Sequence, residues 1–252
     1  MKPIGEAFVQ QTAYHDFAHT GRRRGLPQPP IAWGAQPGQR RIACLPPQEL
    51  PECNLDVRTA MEMRQSVRRF GQGPISFAQL CLLLWCTQGV KAQCTFNGMA
   101  TKRNVPSAGA KHALETFFYA RHIETLPPGW YRYLAMTHEI VCQQADADGA
   151  AGHALTQALC SNGFETHGAV TFVYAAVPER MVWHHGQRGY RSLYLDAGHV
   201  GQNLYLTAQG LGLGACTLCV FDDQALTQQL ALAQRNAFPI YAAVVGPKMK
   251  DE

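Results

Sequence analysis

Apolar positions recur at helical spacing most clearly towards the C-terminus. Leu193, Ala197, Val200, Leu204, Ala208 and Leu211 step by 4, 3, 4, 4 and 3, one continuous stripe that predicts a long helix. A shorter helix follows from Asp223 to Ala233, and Ala154 to Ser161 reads as another. Phe77, Leu80, Cys81 and Leu84 predict a helix that starts at Ser76 and ends at Gly89. Gln79 stands three residues after Ser76, the spacing of a capping box. A further helix through Val57, Ala60, Met61 and Arg64 has Asn54 as its predicted cap. Strands are predicted at Glu115 to Arg121 and Trp130 to Tyr133, separated by the turn Leu126-Pro127-Pro128-Gly129. Pro239 to Val245 is the last strand, and Val170 to Val177, almost wholly apolar, predicts a strand buried on both faces. Helices and strands do not alternate regularly, which favours an α+β class over a doubly wound sheet.

Residues 1–53 break these periodicities. Seven prolines lie between Pro27 and Pro51, interleaved with Gly34 and Gly38 and preceded by Gly21 and Gly25. This segment reads as an extended Pro-rich arm, with Ile31 and Trp33 as docking anchors, ahead of a folded domain over 54–252. The chain has 252 residues, 46% of them hydrophobic and 16% charged, which excludes a disordered chain and allows a core without staples. The longest apolar run, Leu80 to Cys86, is far too short to span a bilayer, and no secretory signal precedes it. Nine scattered cysteines without an export signal suit a reducing, cytoplasmic setting. A net charge of +4 argues for no nucleic-acid partner, and Arg22-Arg23-Arg24 reads as a solvated loop.

Five clusters carry candidate chemistry. Arg64-Gln65-Ser66-Val67-Arg68-Arg69 places guanidinium forks around a hydroxyl where a helix gives way to a turn, and Arg64, Ser66 and Arg68 point one way if the segment is extended. Arg103 to Ala110 is a turn of small residues that lets a flat ligand approach the backbone. Gly210-Leu211-Gly212-Leu213-Gly214 closes a helix instead of opening one, so it is no dinucleotide fingerprint; Gly210 or Gly212 is its C-terminal cap. Cys216-Thr217-Leu218-Cys219 is compatible with a redox pair or half a zinc site, but no second pair accompanies it, and two buried apolar cysteines are preferred. Trp183-His184-His185-Gly186-Gln187-Arg188-Gly189-Tyr190-Arg191 is the densest set of proton-handling groups in the chain; its bland alternative is a polar surface loop.

Taken in order, these segments resemble the nitroreductase superfamily, and within it the SagB-type dehydrogenase branch, the azoline oxidases of peptide-modifying pathways. The resemblance runs from about Leu55 to Gly246 and rests on Arg64 to Phe70, Pro106 to Ala110 with Leu114-Glu115, and Leu126 to Tyr133. It continues through Arg188 to Arg191, Asp196 to Leu206, Leu211 to Cys216, Phe221-Asp222-Asp223, and Pro239 to Tyr241 with Val245-Gly246. It implies a nitroreductase-like fold, a central, mostly antiparallel sheet flanked by helices, in an interlocked homodimer with FMN at the subunit interface. By position, Arg64, Ser66 and Arg68 would hold the phosphate and ribityl chain, aided by Lys248 and Lys250. Pro106, Ser107, Ala108 and Gly109 would approach the isoalloxazine from the partner subunit, and Thr217, Leu218, Cys219 and Val220 would pass its dimethylbenzene-to-N5 side. The long helix would form the dimer core.

The implied activity is dehydrogenation of an azoline ring in a modified peptide or related small molecule, by proton abstraction and hydride transfer to flavin N5. His184 or His185 is the expected base, with Tyr190 assisting. The chain departs from the branch here, because the histidines replace its usual Lys-Tyr pair. Ala110-Lys111-His112-Ala113 also replaces Ala-Leu-Tyr-Pro, and Cys219-Val220 replaces Gly-Ala. A nitro- or quinone reductase fed by NAD(P)H, and a flavin-free peptide-binding subunit of a modifying complex, are the alternatives. Other enzymes of a peptide-modifying pathway are expected partners; a membrane and a metal are not.

Overall fold

A computed structural model describes residues 3–14, 19–160 and 168–249. Its centre is a seven-stranded sheet in which every neighbouring pair is antiparallel. The strands are β1 (Arg41–Ala43), β4 (Leu114–Ala120), β5 (Gly129–Leu134), β6 (Glu139–Ala145), β7 (Val170–Ala176), β8 (Leu213–Leu218) and β9 (Phe238–Pro247), in the order β1-β6-β5-β4-β7-β9-β8. A separate hairpin joins β2 (Val90–Thr95) to β3 (Met99–Arg103). The helices are α1 (Ile4–Gln11), α2 (Val57–Met63), α3 (Phe77–Gln88), α4 (Ala150–Ala158), α5 (Pro178–His185), α6 (Gly189–Gly210) and α7 (Asp223–Gln229). This is the α+β arrangement expected, with the antiparallel sheet flanked by helices. Among the described residues no helix is long and apolar enough to cross a membrane.

The period-2 alternation of the central strands feeds two cores. Phe118, Phe172 and Tyr174 face α3 and α6, while Phe117, Val173 and Ala175 face α4 and α7. Because both faces are covered, β7 is buried along its whole length, as its almost wholly apolar sequence suggests.

Most predicted helices form, with shifted ends. Ser76 and Gln79 make the reciprocal capping box on α3, and Gly89 is its C-cap. The cap of α2 is Asp56, not Asn54, because the Asp56 carboxylate is the oxygen that reaches the Thr59 amide, at 3.0 Å. Gly212, at φ +71°, follows the α6 cap residue Leu211 and supplies the left-handed turn. α4 begins at Ala150, and Ser161, the expected end of that helix, lies outside the described residues. α7 stops at Gln229, with a separate 3-10 turn at Ala233–Arg235. The stretch from Trp183 is no loop: His184 and His185 end α5, and Gly189 already opens α6.

The N-terminal segment holds a helix, α1, and an edge strand, β1, which pairs with β6. It is fastened by a buried charge cluster. Glu115 meets Arg180 at 2.6 Å and Arg132 at 3.5 Å, and accepts a hydrogen bond from the Trp33 amide. The same arginines donate to the carbonyls of Pro30, Trp33 and Gly34, and their guanidinium groups lie 5.7 and 6.0 Å from the Trp33 ring. Trp33 is thus the anchor its sequence position suggests. Replacing Glu115 by Gln would leave two buried guanidiniums without a counter-charge. The expected loss of folding free energy is about 3–5 kcal/mol, to be measured by urea denaturation.

Candidate active site

The cationic segment takes its shape from the end of α2 and the approach of β8. Arg64 caps α2 in extended geometry, and the chain then runs beside β8, where the Val67 amide donates to the Ala215 carbonyl at 2.9 Å. This close approach needs Gly214, since a Cβ there would fall 2.7 Å from a Val67 methyl. Val67 is buried and Ser66 faces the other way, so the alternation predicted for an extended segment holds. Tyr205 of α6 organises that outer side. Its hydroxyl bonds Ser66 Oγ at 2.9 Å, and the Arg64 guanidinium lies 5.2 Å from its ring centre. Arg68 is exposed and donates to the Ser66 carbonyl at 3.5 Å. A cavity of about 520 Å³ opens over Gln65 to Arg69. Lys248 follows β9 beside Phe70 and donates to Gln209 Oε1 at 2.9 Å. Lys250 lies outside the described residues.

Thr217 extends the same network. Its amide donates to the Tyr205 hydroxyl at 2.9 Å, and its own hydroxyl accepts from Tyr241 at 2.7 Å. Leu218 ends β8, while Cys219 and Val220 are exposed beyond it. Cys216 is buried and Cys219 is not, and neither is in a disulfide, which corrects the expectation of two buried apolar cysteines. Cys219 instead lines a cavity of about 430 Å³ with Tyr194, Phe221 and Tyr241.

The small-residue turn is held from the opposite side of α6. Asp196 accepts from Ser107 Oγ at 2.5 Å and from the Ala108 amide at 3.1 Å. Ser107 Oγ in turn accepts from the His112 amide at 2.8 Å. Burial raises the pKa of Asp196, against the pull of these two hydrogen bonds. Within this turn Gly109, Ala110 and His112 have φ of 60°, 52° and 44°. For the two non-glycine residues this left-handed geometry costs on the order of 1–2 kcal/mol each, strain of the kind that collects at functional sites. Pro106 leads into the turn without a polar contact of its own.

The turn and the histidines meet at Gly109. A Cβ on that residue would lie 2.9 Å from His184 Cδ2 and 3.0 Å from His185 Nε2. The two imidazoles stand edge to face, 4.4 Å apart. Burial, then His185, Lys111 and Arg22, push His184 down to about 4, and burial also lowers His185. Both are therefore neutral at neutral pH, with lone pairs able to accept a proton. Tyr190 is not part of this group: it packs against the main core and hydrogen-bonds neither histidine. Tyr205 and Asp196, which position Ser66 and Ser107, are the residues that sequence reasoning did not assign. Their one signal is that both are polar-tipped positions flanking the apolar stripe of α6.

The chain matches the family model for the nitroreductase family over residues 61–247, and it belongs to that family. A candidate nitroreductase of Methanocaldococcus jannaschii is 30% identical over 203 residues, covering 80% of this chain and 96% of that protein. A solved candidate nitroreductase from Anabaena variabilis shares the fold at TM-score 0.70 and 21% identity; 84% of this chain is covered, but only 42% of that one. The E. coli microcin synthetase McbBCD complex, with truncated pro-MccB17 bound, is similar at TM-score 0.61 and 18% identity, over 98% of this chain and 92% of that one. An FMN-dependent nitroreductase from Clostridium difficile matches at TM-score 0.51 and 13% identity, covering 77% of this chain and 88% of that one. The protein is accordingly an oxidoreductase of the nitroreductase superfamily.

The depressed His184 pKa has a testable sign. Between its ordinary value of 6.5 and about 4, the unfolded chain binds more protons than the folded one, so this group makes stability fall as pH drops through that window. An NMR titration of the His184 ring should show a midpoint near 4; a midpoint near 6.5 would contradict the buried, cation-flanked setting.

Proposed function

We propose that the protein is an FMN-dependent dehydrogenase that oxidises a ring, an azoline or one chemically close to it, in a modified peptide or related small molecule. The observation that carries this reading is the contact of the Gly109 turn with two neutral imidazoles. A flat ring system lying on the turn would have proton acceptors at its edge.

The donor set fits FMN. Among the described residues Arg64, Arg68 and Lys248 have no carboxylate ion partner, which leaves their charge to a phosphate, and the Ser66 hydroxyl lies between the arginines in sequence. Arg64, Ser66, Arg68 and Lys248 would hold the phosphate end; Pro106, Ser107, Ala108 and Gly109 would floor the ring. Thr217, Leu218, Cys219 and Val220 would border it. When bound, FMN supplies the two-electron acceptor, which no side chain here can be. The protein's own part is to bind and orient, and to take a proton on His184 or His185.

The geometry of α6 supports a two-chain site. Asp196, which holds the turn, and Tyr205, which holds the cationic segment, are nine residues apart on one helix. At 1.5 Å and about 100° per residue they are roughly 14 Å apart along the axis and on opposite faces. Within one protomer the helix body separates the two halves, so a shared ligand calls for a second copy. The apolar stripe of α6 is not the surface that would meet it, contrary to expectation. Leu193, Ala197, Val200, Leu204 and Ala208 are consumed by the protein's own core, whereas Tyr194 and Leu195 remain 55% and 65% exposed.

The decisive experiment is an absorbance spectrum of the purified protein, followed by turnover of an azoline peptide. A flavin spectrum and aromatisation of the ring are expected. The likeness to the Methanocaldococcus jannaschii protein favours a second reading, an NAD(P)H-dependent nitro- or quinone reductase. Rapid flavin bleaching by NAD(P)H under argon, without azoline turnover, would select it. A colourless protein that binds a leader peptide would mark a subunit without chemistry. Replacing His184 and His185 together by Ala should lower turnover about 10²–10⁴-fold with flavin retained.

A further inference from the structure

Behind the histidines stand two cations, Lys111 and Arg22. Lys111 follows the Gly109 turn and is only 3% exposed. Its ammonium donates to the Asn97 carbonyl at 3.1 Å and the Phe96 carbonyl at 3.5 Å, and stands 5.3 Å from the Trp183 ring centre. An ammonium has three protons to donate, and these two carbonyls take two of them. Arg22 reaches the same hairpin tip, donating to Asn97 Oδ1 at 2.6 Å. His184 stands beside Trp183, with ring centres 6.3 Å apart, and its Nδ1 is buried without a hydrogen-bond partner. No carboxylate among the described residues forms an ion pair with Lys111 or Arg22. Elsewhere the fold does otherwise: Arg132 and Arg180, equally buried, share Glu115.

We propose that Lys111, Arg22 and His184 form a subsite for a carboxylate carried by the substrate. The proposal rests on the reading of the adjacent Gly109 turn as the floor of the reaction site. The third Lys111 proton and the unpartnered His184 Nδ1 offer a carboxylate one donor each. A carboxylate accepting from Nδ1–H would also fix the tautomer that leaves Nε2 as the acceptor beside Gly109. Leaving an ammonium buried without a counter-ion is costly, and burial together with Arg22 lowers the Lys111 pKa; a bound anion would reverse both effects. The branch resemblance does not supply this site, since a leucine usually stands at the Lys111 position.

Calorimetric titration of the purified protein with benzoate, benzamide and phenyl phosphate tests it, with flavin content read separately by absorbance. Benzoate should bind about tenfold or more tightly than benzamide, the scale of a charge-assisted hydrogen bond. Lys111→Gln should abolish that preference and Lys111→Arg should keep it. Equal binding of benzoate and benzamide by the unmodified protein would overturn the subsite, as would a Lys111→Gln variant that keeps the preference. Tighter binding of phenyl phosphate would overturn the carboxylate assignment. If Lys111→Gln does not fold, Arg22→Gln, which removes the more exposed cation, should weaken benzoate and leave benzamide unchanged; no change in either overturns the proposal. A yellow protein without benzoate preference defeats the subsite alone. A colourless protein that prefers benzoate defeats the flavin reading alone.

Discussion

The candidate site is held from α6 at two points. One rigid helix of 22 residues holds the small-residue turn through Asp196 and the cationic segment through Tyr205. The hydrogen-bond ladder of a helix fixes both the spacing and the angle between these attachments, so neither half can drift towards the other. On the two-chain reading proposed above, such a site is preorganised in each protomer and incomplete in each. The apolar stripe that locks α6 onto the sheet is what makes the division rigid.

Charge is handled in two contrasting ways in the same small protein. Around Glu115, two guanidiniums are buried with their counter-charge and their remaining donors satisfied by carbonyls, the condition for a tolerable buried ion cluster. Arg64, Arg68, Lys111 and Lys248 form no ion pair with a carboxylate among the described residues. The first arrangement serves folding and the second leaves potential for a ligand. The neutral histidines lie in the second field, which is part of why they do not take up a proton at neutral pH.

Much of the fold was legible because local physics specifies it. The capping box of α3, the α6 stripe and the doubly buried β7 need no tertiary information to be recognised. The β2–β3 hairpin is also marked locally: Asn97-Gly98 is a strong turn dipeptide, and both residues take positive φ. Other features could not be read. A stripe announces that a face is buried but not against what, so α6 was assigned to a dimer partner when its own sheet claims it. The contact of Gly109 with His184 and His185 joins positions some 75 residues apart. The strands β6 and β8, half polar or interrupted by glycine, carry too weak an alternation to stand out.

The Glu115 cluster bears on where this protein begins as a folding unit. Likeness to the family starts at residue 61, yet the carbonyls that receive Arg132 and Arg180 belong to Pro30, Trp33 and Gly34. A version trimmed to the recognisable family region would keep both arginines and discard their acceptors. The family boundary therefore falls inside the hydrogen-bonded structure: a leading segment that is itself mostly exposed supplies acceptors to two fully buried arginines.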